Sequence, residues 1–338
     1  MASGRENSES DLPRPFPTVV VMGATAAGKS NFAMRLADEL PSEIISFDSM
    51  KVYRGMNIGT DKPSPDEQRR YRYHLIDVKE PTEVSNAGWY VAEADKALTE
   101  ILARGHLPIV EGGTALYLKA FLQGIFEGPG RDEKYRDELL RQETEGGEGT
   151  LHKQLAAIDP ASAAKLHPRD LKRIVRALEV HHVTGRPMSE QQQEWVSDDS
   201  REGYYFIQIG LRRDRKELYR HIDLRVDEMM KSGFLDEVRG LWERKLLGPT
   251  AREALGYREL VDHIEGRTSL EEAVRLIKRN TRHFARRQIG WFSKFSGVTW
   301  YDVDKEDFAE IVQHACGYIC EEVTMKASAW KKLVERQF

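Results

Sequence analysis

PTVVVMGATAAGKS, residues 17–30, is an apolar run that breaks into Gly23, Gly28, Lys29 and Ser30 and matches the phosphate-loop pattern G-x-x-x-x-G-K-[ST] at every specified position. The glycines let backbone N–H groups turn inward around phosphate oxygens. Lys29 adds a point charge, and Ser30 offers a hydroxyl to Mg²⁺ at a helix N-terminus. Such a loop requires a strand before it and a helix after it. Residues 19–22 read as a buried strand, and Phe32, Leu36 and Leu40 recur at helical spacing after the loop. Gly23, Ala24, Thr25, Ala26, Ala27, Gly28, Lys29 and Ser30 are therefore expected to hold a di- or triphosphate, and these eight residues alone do not say which.

Working outward, residues 43–47 (EIISF) read as a second strand ending at Asp48. Ligands of open parallel sheets bind beyond the carboxyl ends of the strands, so Asp48 is expected to face the same crevice as the phosphate loop. Ser64-Pro65-Asp66-Glu67 is a capping box with proline at the first helical position. Residues 73–78 read as a third strand and 87–103 as a helix stopped by Gly105. Residues 107–110 read as a fourth strand running into Glu111-Gly112-Gly113-Thr114. This alternation implies an α/β fold, a phosphate-loop NTPase-like parallel sheet flanked by helices. It stops near Phe126 and returns at 204–211 (YYFIQIGL), after which the chain reads as mostly helical. The expected organisation is a disordered leader over 1–16, an α/β core over 17–127 and 202–338 with C-terminal helices, and a helical insertion over 128–201.

The 338 residues, 40% hydrophobic and 31% charged, suit a soluble protein with one or two cores. No apolar run approaches the roughly 20 residues of a membrane span. The first sixteen residues lack the apolar centre of a signal peptide, so a cytoplasmic protein is expected. Cys316 and Cys320 have no second pair at metal-binding spacing and read as reduced thiols. A formal net charge of −4 confines any nucleic-acid binding to local basic patches.

Two such patches are legible. In 269–295 a capping box (Ser269, Glu272) opens a helix carrying Arg275, Lys278, Arg279, Arg282 and Arg286 on one side. Val274, Ile277, Phe284, Trp291 and Phe295 cluster on the other. A face so poor in acids repels itself unless an anion lies along it, which favours RNA or phosphate over bare solvent. In the insertion, Asp170 caps a helix whose stripe of Arg169, Lys172, Arg173 and Arg176 opposes buried Ile174, Val175 and Leu178. A third feature is Arg225, at the edge of the apolar stripe Leu218, Ile222, Val226 and Met229. There it must be paired or face a polar cavity.

GATAAGKS (23–30), DSMKVYRGMNIGT (48–60), EGGTALYLKA (111–120), LKRIVRALEVHHVTGRP (171–187), AREALGYREL (251–260) and TRHFARRQIGWF (281–292) together resemble the tRNA dimethylallyltransferases, the bacterial-type tRNA isopentenyltransferase family. The likeness spans about residues 17–300. It implies transfer of a dimethylallyl group from dimethylallyl diphosphate to the exocyclic amine of adenosine 37, beside the tRNA anticodon, with Mg²⁺ as cofactor and Ser30 as its ligand. The phosphate loop then holds the isoprenoid's diphosphate. By the same resemblance Asp48 matches the general base, Thr114 a residue contacting the reacting nucleotide, and Arg225, within HIDLRVDEM (221–229), an arginine on the diphosphate. The implied tRNA contacts are Asp48, Ser49, Met50, Lys51, Arg136, Lys172, Arg173, Ile174, Val175, Arg176, Arg252, Gly256, Tyr257, Arg258, Thr281, Arg282, Arg286, Arg287 and Gln288. The implied partner is the anticodon stem-loop, bound by a monomer without a membrane. The chain departs from the family's usual pattern at Lys51, commonly Gln, and at Ala115, commonly Gly. The alternatives are a phosphate-loop small-molecule kinase, an adenylate isopentenyltransferase acting on free nucleotides, or a nucleic-acid-binding NTPase. The last wants an aspartate-ended strand, for which Glu111 is the nearest candidate.

Overall fold

β1 (Phe16–Gly23) is buried along all eight residues, which requires a sheet neighbour on both edges and cover on both faces. The computed structural model, which describes residues 12–124, 130–191 and 201–335, supplies both. β2 (Ser42–Ser46), β3 (Tyr73–His74), β4 (Leu107–Glu111), β5 (Tyr204–Arg212) and β6 (Thr299–Asp302) join β1 in one sheet of order β3-β2-β4-β1-β5-β6, and every pairing is parallel. Val21 of β1 lies opposite Glu111 of β4 and Ile209 of β5, and Ser46 of β2 is also opposite Glu111. That register brings Gly23, Asp48 and Glu111 to one edge of the sheet.

Two strands differ from the sequence reading. Residues 73–78 do not run on as a strand, because Leu75 and Asp77 take φ of 61° and 55°, turning the backbone out of the sheet after His74. β6 is four half-buried residues, too short to carry a periodic signal. The helix Ala87–Ala103 has the expected bounds, capped by Asn86 accepting from Trp89 N–H at 2.9 Å and followed by Gly105 at φ 75°. At the sheet's far end, burial would raise the Glu43 carboxyl. Hydrogen bonds from Arg104, His74 and His106, with the charge of Arg104, overcome this and hold it at about 2.

The chain divides into two compact units, Met1–Ala120 with Glu202–Phe338, and Phe121–Arg201. The second unit starts earlier than residue 128, within the helix Ala115–Gln123. By itself it is a helical bundle whose core includes Leu139, Leu151, Leu155, Ile174 and Leu178. Residues 1–11 of the expected leader lie outside the described residues, as do 192–200 of the insertion. Among the described residues no helix is long and apolar enough to cross a membrane. Cys316 and Cys320 lie on the helix Phe308–Lys326 and are not joined in a disulfide.

Candidate active site

The turn from β1 into the helix Lys29–Glu39 is made by Gly28 at φ 97°, a left-handed position that suits a residue without Cβ. Ala26 is held at φ 64° despite its Cβ, a strain of about 1–2 kcal/mol. Packing holds it there: Ala24 and Ala26 form a buried cluster with Leu218 and Ile222 of the helix Arg215–Lys231 and Ala285 of the helix Leu270–Phe292. Each of the two large side chains contributes roughly 1.5–3 kcal/mol by burial.

Lys29 Nζ donates to Ala24 O at 2.9 Å. Burial lowers its ammonium to about 8, helped by the charges of Lys51 and Arg225 and opposed by Glu111 and Asp48. Ser30 Oγ donates to the Glu111 carboxylate, 3.3 Å from each oxygen. Hydroxyl and carboxylate oxygens are the hard donors that Mg²⁺ takes when it completes its shell with substrate phosphates and water. Ser30 and Glu111 therefore fit a metal carried in with a diphosphate. Among the described residues there is no group of three or more His, Cys, Asp or Glu that would hold one alone.

Asp48 follows β2, and its Oδ1 accepts from the N–H of Met50 at 2.8 Å and of Lys51 at 3.3 Å. This tight turn orients the carboxylate and sends Lys51 inward. Thr114 Oγ1 accepts from Ser49 N–H at 3.1 Å, and Thr114 N–H donates to Phe47 O at 3.3 Å, so the loops after β2 and β4 are stitched together. Only glycine fits at 112, where a Cβ would stand 2.1 Å from Phe47 O.

Two cavities meet at these groups. One, about 270 Å³, is lined by Lys29, Ser30, Lys51, Glu111 and Gln288. The other, about 560 Å³, has an apolar side of Ile222, Val226, Met229, Phe234, Ile277 and Phe284 and a polar mouth that includes Ser49, Thr114 and Thr281. Thr25, Asp48 and Arg225 line both. Arg225 is paired and also faces a polar cavity: its Nη1 lies 2.9 Å from Asp61 Oδ2 while its side chain lines the phosphate pocket.

A family model described as IPP transferase matches residues 51–295. The chain belongs to the IPP transferase family. It is 43% identical over 313 residues to a tRNA dimethylallyltransferase of Geobacillus thermodenitrificans, covering 92% of this chain and 98% of that one. It is 44% identical over 295 residues to the tRNA dimethylallyltransferase of Thermotoga maritima, covering 86% and 94%. Among solved structures, the full-length tRNA isopentenylpyrophosphate transferase of Bacillus halodurans superposes with a TM-score of 0.67 at 37% identity over 92% of this chain and 99% of that one. A eukaryotic dimethylallyltransferase acting on tRNA gives a TM-score of 0.76 at 25% identity, covering 92% and 84%.

Several residues that the resemblance put on RNA also have partners within the protein. Lys51 is 5% exposed, with Nζ 3.3 Å from Ser30 Oγ and 3.4 Å from Glu111 Oε1. Burial lowers its ammonium, but Glu111, Asp48 and Asp61 raise it further, leaving it above the ordinary lysine value. Gln288 is also buried: its Oε1 accepts from Thr25 N–H at 2.8 Å and its Nε2 donates to Gly113 O at 2.7 Å, tying the phosphate loop to the loop after β4. Tyr257 is buried and donates to Glu237 at 2.5 Å. The same carboxylate accepts the N–H groups of Asn57, Ile58 and Gly59 at 2.7–3.2 Å and so fixes the end of the DSMKVYRGMNIGT segment. The sequence reading missed Glu237, because a carboxylate capping three amides has no local pattern. Arg252 and Arg258 pair with Glu265 and Glu259, and Gly256 caps the helix Tyr257–Ile264.

On the helix Leu270–Phe292 the basic face is partly neutralised, since Arg282 pairs with Asp223 at 2.5 Å and Lys278 with Asp227 at 2.6 Å. The acids come from the helix Arg215–Lys231, which a reading of one helix does not see. Arg286 and Arg287 are exposed, Thr281 lines the larger cavity, and Trp291 is 40% exposed where the periodicity had it buried. In the second unit Ile174 and Val175 belong to the core. Arg136 forks onto buried Glu179 with two contacts of 2.7 Å, and Arg176 reaches it at 2.5 Å. Lys172 and Arg173 remain exposed on that stripe, with Arg173 3.5 Å from Asp170.

The Gln288 bridge has a measurable consequence. Gln288→Ala removes two hydrogen bonds of about 1 kcal/mol each. Inorganic pyrophosphate titrated calorimetrically is expected to bind about tenfold or more weakly, with secondary structure unchanged by circular dichroism. Unchanged affinity would mean that the phosphate loop holds its shape without this clamp.

Proposed function

We propose that this chain transfers the dimethylallyl group of dimethylallyl diphosphate to the exocyclic amine of adenosine 37 of tRNA and releases diphosphate. The observation that carries the reading is the shared wall. Asp48, Thr25 and Arg225 separate a charged pocket at the phosphate loop from a larger pocket with an apolar side. A diphosphate ester of a hydrocarbon needs that pairing of surfaces, and a kinase moving phosphate between polar partners does not. The relatives named for this transfer on tRNA support the substrate.

In the proposed reaction the C1–O bond of the donor breaks as the nitrogen of adenine bonds to C1. The electron pair leaves with diphosphate, and an amine proton goes to Asp48. An allylic carbon bears developing positive charge well, so the protein's task is to neutralise the leaving group and aim the nucleophile. The backbone of residues 23–30, Lys29 and Arg225 serve the departing charge. Mg²⁺, held by Ser30 with Glu111 beside it, would supply further neutralisation. Asp48 has Oδ1 committed to two backbone amides, which leaves Oδ2 to accept the proton. Thr114, stitched to Ser49, borders the nucleotide. The adenine enters by flipping out of the anticodon loop, since a stacked amine is out of reach. The exposed basic residues of both units, Arg286, Arg287, Lys172 and Arg173, suit the RNA backbone, and the enzyme is proposed to act as a cytoplasmic monomer.

Asp48→Ala is expected to lower single-turnover prenylation by about two to four orders of magnitude while pyrophosphate affinity survives. Near-normal turnover would remove Asp48 from the role of base.

Salt dependence separates the free bases from the paired ones. Arg286→Ala and Lys172→Ala should each weaken tRNA binding and flatten the plot of log K against log salt by about 0.7–0.9 per lost phosphate contact. Arg282→Ala, whose guanidinium is committed to Asp223, should leave the slope in place. Identical slopes for all variants, including the native chain, would contradict an RNA role for these helices.

A further inference from the structure

Lys51 is a buried ammonium beside a phosphate loop that already has its own lysine. Its contacts are looser than those of Lys62, another lysine of the same cavity, whose Nζ donates to Asp77 Oδ1 at 2.6 Å and to Tyr53 O at 2.8 Å. Lys51 instead stands 3.4 Å from Glu111 Oε1 and 3.3 Å from Ser30 Oγ, shared between a carboxylate and a hydroxyl without a close contact to either. It also lines the phosphate cavity, so its third N–H has the cavity as a direction in which to donate.

The oxygens that Lys51 touches are the two that a divalent metal would use, Ser30 Oγ and the Glu111 carboxylate. A positive charge is therefore built into the chain where one is needed. The cavity lining is electrically balanced, with four basic side chains against four acidic ones. A diphosphate entering it adds several negative charges. Removing the Lys51 charge would leave the buried Glu111 carboxylate facing that anion without its nearest cation, and like charges at short range repel.

We propose that Lys51 is a resident cation of the diphosphate site: seated on the Ser30–Glu111 oxygen pair, it neutralises Glu111 and takes a share of the diphosphate's charge, so that binding does not depend wholly on a divalent metal. The assignment rests on the reading of the phosphate loop as a diphosphate site. It makes Lys51 a charge-balancing residue of the leaving-group pocket, distinct from an RNA contact, because its ammonium is turned away from the surface.

The test titrates inorganic pyrophosphate into the full chain by calorimetry, once with Mg²⁺ and once with EDTA, for the native protein, Lys51→Gln and Lys51→Arg. The native protein should lose less than about tenfold in affinity on removal of Mg²⁺. Lys51→Gln should lose about a hundredfold, and Lys51→Arg, which keeps the charge, should behave as the native protein does. A purely structural role for Lys51 would lower thermal stability without changing the ratio of the two affinities. Equal Mg²⁺ dependence in the native protein and Lys51→Gln would overturn the proposal. If Lys51→Gln does not fold, the native protein still decides, since binding that vanishes entirely in EDTA would also overturn it. No pyrophosphate binding by the native protein under either condition would instead overturn the diphosphate reading, and the assignment of Lys51 with it.

Discussion

The parallel pairing of β1 with β4 on one side and β5 on the other is the constraint from which the rest of the site follows. Because side chains alternate, a strand buried on both faces cannot slip by one residue without exchanging the side chains packed against its two faces. With Val21 fixed opposite Glu111, and Ser46 of β2 fixed opposite the same residue, the phosphate loop, Asp48 and Glu111 must emerge together. The loops beyond them are then joined by short hydrogen bonds, including Phe47 N–H to Glu111 O at 2.6 Å.

Charge is managed in pairs around this edge. Arg225 meets Asp61, Lys51 meets Glu111, and Lys62 meets Asp77, so a set of cations is held in a partly buried crevice without a large uncompensated field. Gln288 extends the same frame to the late basic helix, which also carries the exposed Arg286 and Arg287. One helix therefore contributes to both the shape of the phosphate loop and the outer basic surface. Ala285 on that helix packs against Ala24 and Ala26, adding an apolar contact to the polar clamp.

The parts legible in the sequence were those specified by local pattern. GATAAGKS sits in its strand–loop–helix context, the 204–211 strand returns to the sheet, and the Ser64–Glu67 capping box opens the helix Pro65–Arg70. What was not legible depends on partners distant in sequence. The periodicity of 269–295 identified a basic face, but Asp223 and Asp227 on another helix neutralise part of it. Lys51 and Gln288 sit in motifs read as RNA contacts, yet the turn at Asp48 sends Lys51 into the protein and Gln288 lies on the buried face of its helix. The strand expected over 73–78 is present but ends after His74, because Leu75 and Asp77 adopt left-handed backbone angles. The chemistry of Asp48 and Thr114 came from family likeness, and the structure adds the two cavities that Asp48 borders, the larger of which Thr114 also lines.

The central claim is that GATAAGKS serves a leaving diphosphate on an isoprenoid. It is tested most directly by incubating the protein with Mg²⁺, dimethylallyl diphosphate and unmodified tRNA, then digesting the RNA and weighing its nucleosides. The account predicts adenosine carrying a dimethylallyl group on its exocyclic amine, confined to the anticodon loop, with diphosphate released in equal amount. Unmodified adenosine accompanied by hydrolysis of a nucleoside triphosphate or phosphorylation of a small molecule would contradict it.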